Sequence, residues 1–148
     1  MLRFRKLKAD DPAETVWQEA PLAQLLPDGL NHIQTHLAQG DILFALFDDA
    51  QPVGLLTMNA EPFGEKPRCL IIEHLMLLPE YRRHGLGRML MTLAAGEAVE
   101  RKIWFLAGRP PQTPEAEGFA AAIHMKQTAW FDDLLLLDLS DVEGLRHG

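Results

Sequence analysis

Residues 82–88, Arg82-Arg83-His84-Gly85-Leu86-Gly87-Arg88, set three guanidinium groups and an imidazole around two glycines, in a chain of formal net charge −7. Such a loop is suited to binding an anion. Glycine has no Cβ, so the backbone can take positive φ and come close to a phosphate. Arginine adds charge-assisted hydrogen bonds. Leu86, Met89, Leu90, Leu93 and Ala94 then recur at helical spacing and predict one apolar face. The loop therefore leads into a helix N-terminus, where unpaired N–H groups and the positive end of the dipole favour negative charge.

Just upstream, "CLIIEHLMLL" is an apolar run interrupted only by Glu73 and His74. Its length and β-branched content predict a strand buried on both faces. Glu73 is the only carboxylate within it and the first candidate for a general base. The competing reading is a strand-end charge paired with a neighbouring Arg or Lys. His74 is the alternative base, or else a core histidine with a satisfied ring. Alternation along a strand predicts that the two point to opposite faces, so only one can serve a given side. His32 and His36 have the i,i+4 spacing of a helical metal pair. Position 33 is Ile33, no third ligand is evident, and the preferred reading is a solvated helix face with no metal. Either histidine could touch a substrate, and Phe63 and Trp17 could line the same cleft or fill the core.

These residues need a scaffold, and the hydrophobic pattern outlines one. "LRFRKL" alternates as a half-buried strand. Pro12, with Asp10 or Asp11 as cap, opens a helix, and a second helix runs from about Asp28 to Ala38 and stops near Gly40. "DILFALF", "DDAQ" and "PVGLLTM" read as a hairpin, and "EPFGEKPR" as a loop. "KIWFLAG" is a further strand, Thr113 could cap a helix through "EAEGFAAAIHM", and "AWFDDLLLLDL" is the last strand, lying at the end of the sheet. Glu97 and Arg101 form a favourable i,i+4 pair. The order β, α, α, β, β, β, α, β, α, β predicts an α/β domain with a mixed sheet. No repeat or linker divides the chain, so residues 1–148 are expected to form one domain.

Composition narrows the function classes. Nearly half of the residues are apolar and about a quarter charged, as in a globular protein. The acidic balance argues against nucleic-acid partners, which require a basic field. It is compatible with a cationic amine as substrate. No apolar run approaches the ~20 residues that cross a bilayer, and "MLRFRKLKADD" lacks the apolar core of a signal peptide. The expectation is a cytoplasmic chain with no membrane partner. Cys69 is the single cysteine and, among apolar neighbours, is expected to be a buried, inert thiol.

The loop is neither a Walker A loop, since no Gly-Lys-Ser/Thr follows, nor the dinucleotide fingerprint, whose third glycine would fall at Leu90. It resembles motif A of the GNAT superfamily of N-acetyltransferases, Arg/Gln-x-x-Gly-x-Gly/Ala. The resemblance extends through "IEHLMLLPEYRRHGLGRMLMTLAAGEA", an apolar strand, a Pro-x-Tyr-Arg entry, the glycine loop and an apolar helix. It implies a mixed, mostly antiparallel central sheet flanked by helices, with strands 4 and 5 splayed. It also implies acetyl-CoA as cosubstrate, its pyrophosphate on residues Arg82, Arg83, His84, Gly85, Leu86, Gly87 and Arg88, and its pantetheine along Met76, Leu77 and Leu78. The implied reaction is acetyl transfer to a primary amine, on a small molecule or peptide, by direct attack, with Glu73 as base. The alternative is a non-catalytic acyl-CoA sensor that regulates a protein partner. The chain departs from the family near its C-terminal end, where many members carry a tyrosine as acid. Loose alignment puts His124 there, so His124 replaces the phenol or no enzyme acid is used. A homodimer through the final strand is a further expectation.

Overall fold

In the computed structural model, residues 1–7, 37–64, 68–109, 114–123, 125–127 and 134–139 are described. The alternating N-terminal segment forms β1 (Leu2–Leu7), an edge strand that buries Leu7 and pairs antiparallel with β2 (Ile42–Asp48). A tight turn at Asp49 (φ 54°) and Ala50 joins β2 to β3 (Gln51–Met58). The turn is shorter than the expected "DDAQ" because Asp48 and Gln51 still pair in the ladder. Before β2, Leu37 and Ala38 are helical, and Gly40 at φ +81° donates its N–H to the Leu37 carbonyl at 3.1 Å. That is the expected glycine stop. The rest of the two N-terminal helices, with Trp17, His32 and His36, lies outside the described residues.

Strand β4 (Leu70–Leu77) continues the meander antiparallel to β3. Its other neighbour is parallel: β5 (Phe105–Gly108) pairs with it only through Leu70↔Leu106, Ile71↔Ala107 and Ile72↔Gly108. Beyond Ile72 the two strands part, which is the splay expected between strands 4 and 5. The complete seven-stranded order is β1-β2-β3-β4-β5-β7-β6, with β6 at Lys126–Gln127 and β7 at Leu135–Asp138. The short β6 pairs with Leu135 and Leu136, so β7 lies inside the sheet. This corrects the expectation that "DDLLLLDL" ends it.

Helix α1 (Leu86–Glu100) lies on one face of the sheet and buries Leu86, Gly87, Leu90, Met91, Ala94, Ala95 and Ala98. Two residues of the expected stripe leave the core, Met89 at 49% exposed and Leu93 only half-buried, while Met91 and Ala95 are buried. Small alanines form the seam because a helix close to a sheet leaves little room for side chains. Helix α2 (Pro114–Ala122) then brings Phe119 against this core. The opposite face of the sheet buries Leu43, Ala45, Phe47, Val53 and Leu55. Among the described residues no helix is long and apolar enough to cross a membrane.

One ion-pair cluster ties α1 to the edge strand. Glu97 Oε1 accepts from Lys6 Nζ at 2.8 Å, and Oε2 from Arg101 Nε at 3.0 Å, the expected i,i+4 pair. Burial pushes the Glu97 carboxyl up, but the two cationic donors outweigh it and hold the group below its ordinary value. A depressed carboxyl contributes stability above its unfolded-state value and loses it as pH falls through the folded-state value. Glu97→Gln is expected to lower Tm by roughly 1–4 °C near pH 7. In thermal melts the gap to wild type should narrow at acidic pH, as pH falls below the ordinary glutamate value and through the lower folded-state one. A gap of equal size at neutral and acidic pH would contradict the ion-pair account.

Candidate functional site

The basic loop adopts the geometry that its glycines foreshadow. A 3₁₀ turn at Pro79–Tyr81 leads out of β4, and α1 begins with Gly85 as its N-cap at φ +76°. No side chain caps that end. The first intrahelical bond at the cap runs from the Met89 N–H to the Gly85 carbonyl at 3.1 Å. The amides of Leu86, Gly87 and Arg88 thus occupy the first turn, where N–H groups have no intrahelical acceptor. Gly85 is needed for its left-handed backbone, a conformation that costs an L-residue about 1–2 kcal/mol. Gly87 is needed for space. A Cβ there would stand 3.2 Å from the Phe119 ring of α2.

The three arginines divide their work. Arg82 Nε donates to the Leu77 carbonyl at 3.1 Å, bracing the end of β4. Arg88 Nη2 donates to the Ala122 carbonyl at 2.9 Å, joining the start of α1 to the end of α2. Arg83, itself left-handed at φ +66°, and His84 are exposed beside Gly85. The entry to the loop is anchored by Tyr81, whose hydroxyl donates to Asp48 Oδ2 at 2.5 Å. That bond holds Asp48 below its ordinary value and the Tyr81 phenol above its own. The chain's single tyrosine is thereby engaged in the scaffold.

At the point where β4 leaves β5, the ladder with β3 also changes. Met58 pairs with Ile72 and Thr57 with His74, so Glu73 is a bulged residue with no partner of its own. Asn59 Nδ2 donates to Glu73 Oε1 at 3.1 Å, and Thr57 Oγ1 lies 3.2 Å from His74 Nδ1. Thr57 and Asn59 are two residues apart and share one face of β3. Glu73 and His74 therefore lie on the same face. The expectation of opposite faces fails because the bulge breaks the alternation. The partner of Glu73 is an amide, where Arg or Lys was the expected alternative.

The bulge also sets which backbone groups of β4 face the gap. Leu78 N–H bonds to the Val53 carbonyl of β3 at 3.0 Å, so by alternation Leu75 and Leu77 present theirs on the side from which β5 has parted. Met76 and Leu77 are half-buried, whereas Leu78 is buried in the core. On the same face as Glu73, a cleft of about 850 Å³ is lined by Gln39, Asp41, Asn59, Glu61, Phe63 and Ile71, among others. Phe63 is 44% exposed there, held by reciprocal backbone bonds with Cys69 at 2.8 and 2.9 Å. His124 lies outside the described residues, as do His32 and His36. No group of three or more metal-ligating side chains occurs among the described residues.

A glycine-started helix with no side-chain cap follows a parallel strand pair that parts after Ile72, the arrangement that the sequence resemblance implies. The sequence matches the family model described as "Acetyltransferase (GNAT) family" over residues 4–123, and the chain belongs to that family. Acetyl-CoA is the family's acetyl donor. No curated protein matches the sequence significantly. Solved structures match it in fold. A variant of the AtaT toxin bound to the C-terminus of the antitoxin AtaR and acetyl-CoA aligns with TM-score 0.71 at 16% identity, over 100% of this chain and 99% of that one. The PaiA N-acetyltransferase of Thermoplasma acidophilum, in complex with coenzyme A, gives 0.68 at 15% identity, over 93% and 99%. Ribosomal-protein-alanine N-acetyltransferase of Brucella melitensis biovar Abortus gives 0.65 at 20% identity, over 88% and 96%.

Sequence reasoning did not single out Asn59, Asp48 or the outward backbone of Leu75. Asn59 sits in turn-like surroundings, "MNAEP", and only the register of β3 against β4 brings it to Glu73. Cys69 is fully buried and accepted into a hydrophobic cluster, and burial pushes its thiol up to about 11. A thiol so placed is no nucleophile. Cys69 is expected to be inert to an aromatic disulfide reagent near pH 8 in the folded protein and to react fully in denaturant. Rapid labelling of the native chain would show that the site opens.

Proposed function

We propose that the chain is an N-acetyltransferase that moves the acetyl group of acetyl-CoA to a primary amine by direct attack within a ternary complex, and that residues 1–148 act as one domain. The observation that carries this reading is the combination of three features along β4 and the loop that follows it. β4 parts from β5 after Ile72, Glu73 bulges at that point, and α1 begins with Gly85 at φ +76° and no side-chain cap.

In this reading the first-turn amides from Leu86 to Arg88 hold the pyrophosphate, with Arg82, Arg83, His84 and Gly85 completing the loop. The side chains of Arg82, Arg83, His84 and Arg88 are all exposed, and Arg82 and Arg88 also brace the loop through the carbonyls they hold. Met76, Leu77 and Leu78 lie along the pantetheine arm, with backbone contacts drawn from Leu75 and Leu77. Coenzyme A supplies the acetyl group as a thioester. Glu73 takes the proton that the ammonium must give up before nitrogen attacks the carbonyl carbon. The new C–N bond forms as the C–S bond breaks; the sulfur leaves as a thiolate, and the attacking nitrogen gives up its second proton to solvent or to that sulfur. His124 is the candidate to protonate it. A thiol of ordinary pKa near 8.5 also leaves without help, and Tyr81 is committed to Asp48. The acceptor enters through the cleft lined by Phe63, with His32 and His36 as further contacts. Asp41 and Glu61 give that cleft a negative character that favours a cationic amine.

Calorimetry with acetyl-CoA tests the donor side, and an absence of binding overturns the proposal. Gly85→Val is expected to weaken binding more than Arg83→Ala, because a β-branched residue disfavours the left-handed φ of +76° that sets the first-turn amides. Thiol release with a panel of primary amines tests turnover. Glu73→Gln should lower it by roughly 10²-fold while leaving acetyl-CoA affinity unchanged. Binding without thiol release on any amine would favour a sensor.

A further inference from the structure

We infer that Asn59 is a positioning residue, whose side-chain amide fixes the Glu73 carboxylate at the apex of the splay in the orientation that takes a proton from the acceptor. The inference rests on the reading of Glu73 as the base.

A bulged residue is not aimed by strand register. Glu73 falls between the pairs Met58↔Ile72 and Thr57↔His74, so no cross-strand neighbour orients it, and it is the first residue of β4 beyond the pairing with β5. A long carboxylate side chain in that place has several rotamers open to it. Asn59 Nδ2, 3.1 Å from Oε1, selects among them.

Asn59 is itself well fixed. It follows the last residue of β3, yet its backbone N–H continues the ladder to the Ile71 carbonyl at 2.9 Å. Its side chain is short, so a fixed Cα gives a fixed amide. The residue two before it, Thr57, is fully buried and meets His74 in the same way. Thr57 of β3 and Asn59 just beyond its end thus hold two consecutive residues of β4, and both bonds stabilise the bulge.

The chemistry favours an amide here. A cationic partner would stabilise the ionised carboxylate strongly and blunt it as a base. A neutral N–H donor orients one oxygen without cancelling the charge, leaving Oε2 to receive the proton. Asn59 also lines the cleft that Phe63 and Asp41 share. The held carboxylate and the acceptor's approach are therefore on one face.

The test is a double-mutant cycle on thiol release from acetyl-CoA. It uses the fastest acceptor among spermidine, lysine, an aminoglycoside and a peptide with a free α-amine, or water if none reacts. Asn59→Ala is expected to lower kcat about tenfold, the loss of one hydrogen bond to a charged group, with KM for the acceptor and acetyl-CoA affinity unchanged. In the Glu73→Gln background the same substitution should cost less than about twofold, because both act through one carboxylate. Asn59→Leu keeps the bulk but removes the donor. It should behave like Asn59→Ala, and it carries the test if Asn59→Ala loses acetyl-CoA binding. A tenfold loss in both backgrounds, a change confined to KM, or full activity in both Asn59 variants overturns the inference while the base reading stands. Full activity in Glu73→Gln overturns the base reading and this inference with it.

Discussion

The architecture depends on the backbone of β4 having two different neighbours. On one side β3 runs antiparallel along nearly its whole length; on the other, β5 accompanies it for three pairs and stops at Gly108. Strand polar groups must be paired or solvated, so a strand that outlasts its neighbour is an edge opened inside a sheet. The bulge at Glu73 falls at that opening. A bulge bends its strand and increases the local twist, and here it lies one residue past the last parallel pair.

The rest of the fold holds this opening in place. Arg82 grips the Leu77 carbonyl at the end of β4, and Tyr81 grips Asp48 at the β2–β3 turn. The loop between β4 and α1 is therefore fixed at both of its walls. Helix α1 is fixed at both ends as well, through Arg88 on Ala122 near its start and Glu97 on Lys6 near its finish. Along its buried face, Ala94, Ala95 and Ala98 let the helix settle closely on the sheet. Preorganised amides bind an anion more tightly than amides that must be ordered on binding. A helix start pinned in this way meets that condition, and Gly85 provides the required turn without a side chain in the way.

Elements with strong local signals were legible in the sequence. The strand at "LRFRKL", the hairpin around Asp49 (apart from the length of its turn), the Gly40 stop and the glycine loop before α1 each depend on near neighbours, and the structure has each of them. The features that failed depend on distant ones. Met89 fits an apolar helical stripe, but the sheet meets α1 along Leu86, Leu90, Met91 and Ala94, which rotates the buried face away from it. β6 has two residues, too few to carry a periodicity, yet its pairing moves β7 inside the sheet. Glu73 was found by composition, as the one carboxylate in an apolar run. Its direction was misread because no local signal marks a bulge. The same lack of signal hid Asn59, whose place is set by a register shift and not by its neighbours in the chain.

The fate of the single tyrosine bears on how the thiolate is handled. A phenol that donates to a carboxylate holds its proton more firmly than a free one, as the raised value of Tyr81 reflects. It also stands at the entry to the anion loop, where its bond to Asp48 serves the loop's position. A chain that spends its only phenol on the scaffold must either draw a proton from another group or release a thiolate directly. The second course costs little, since a thiol ionises within about two pH units of neutrality. Under the proposed reaction the remaining work is forming and orienting the neutral amine, the role proposed for Glu73 and Asn59.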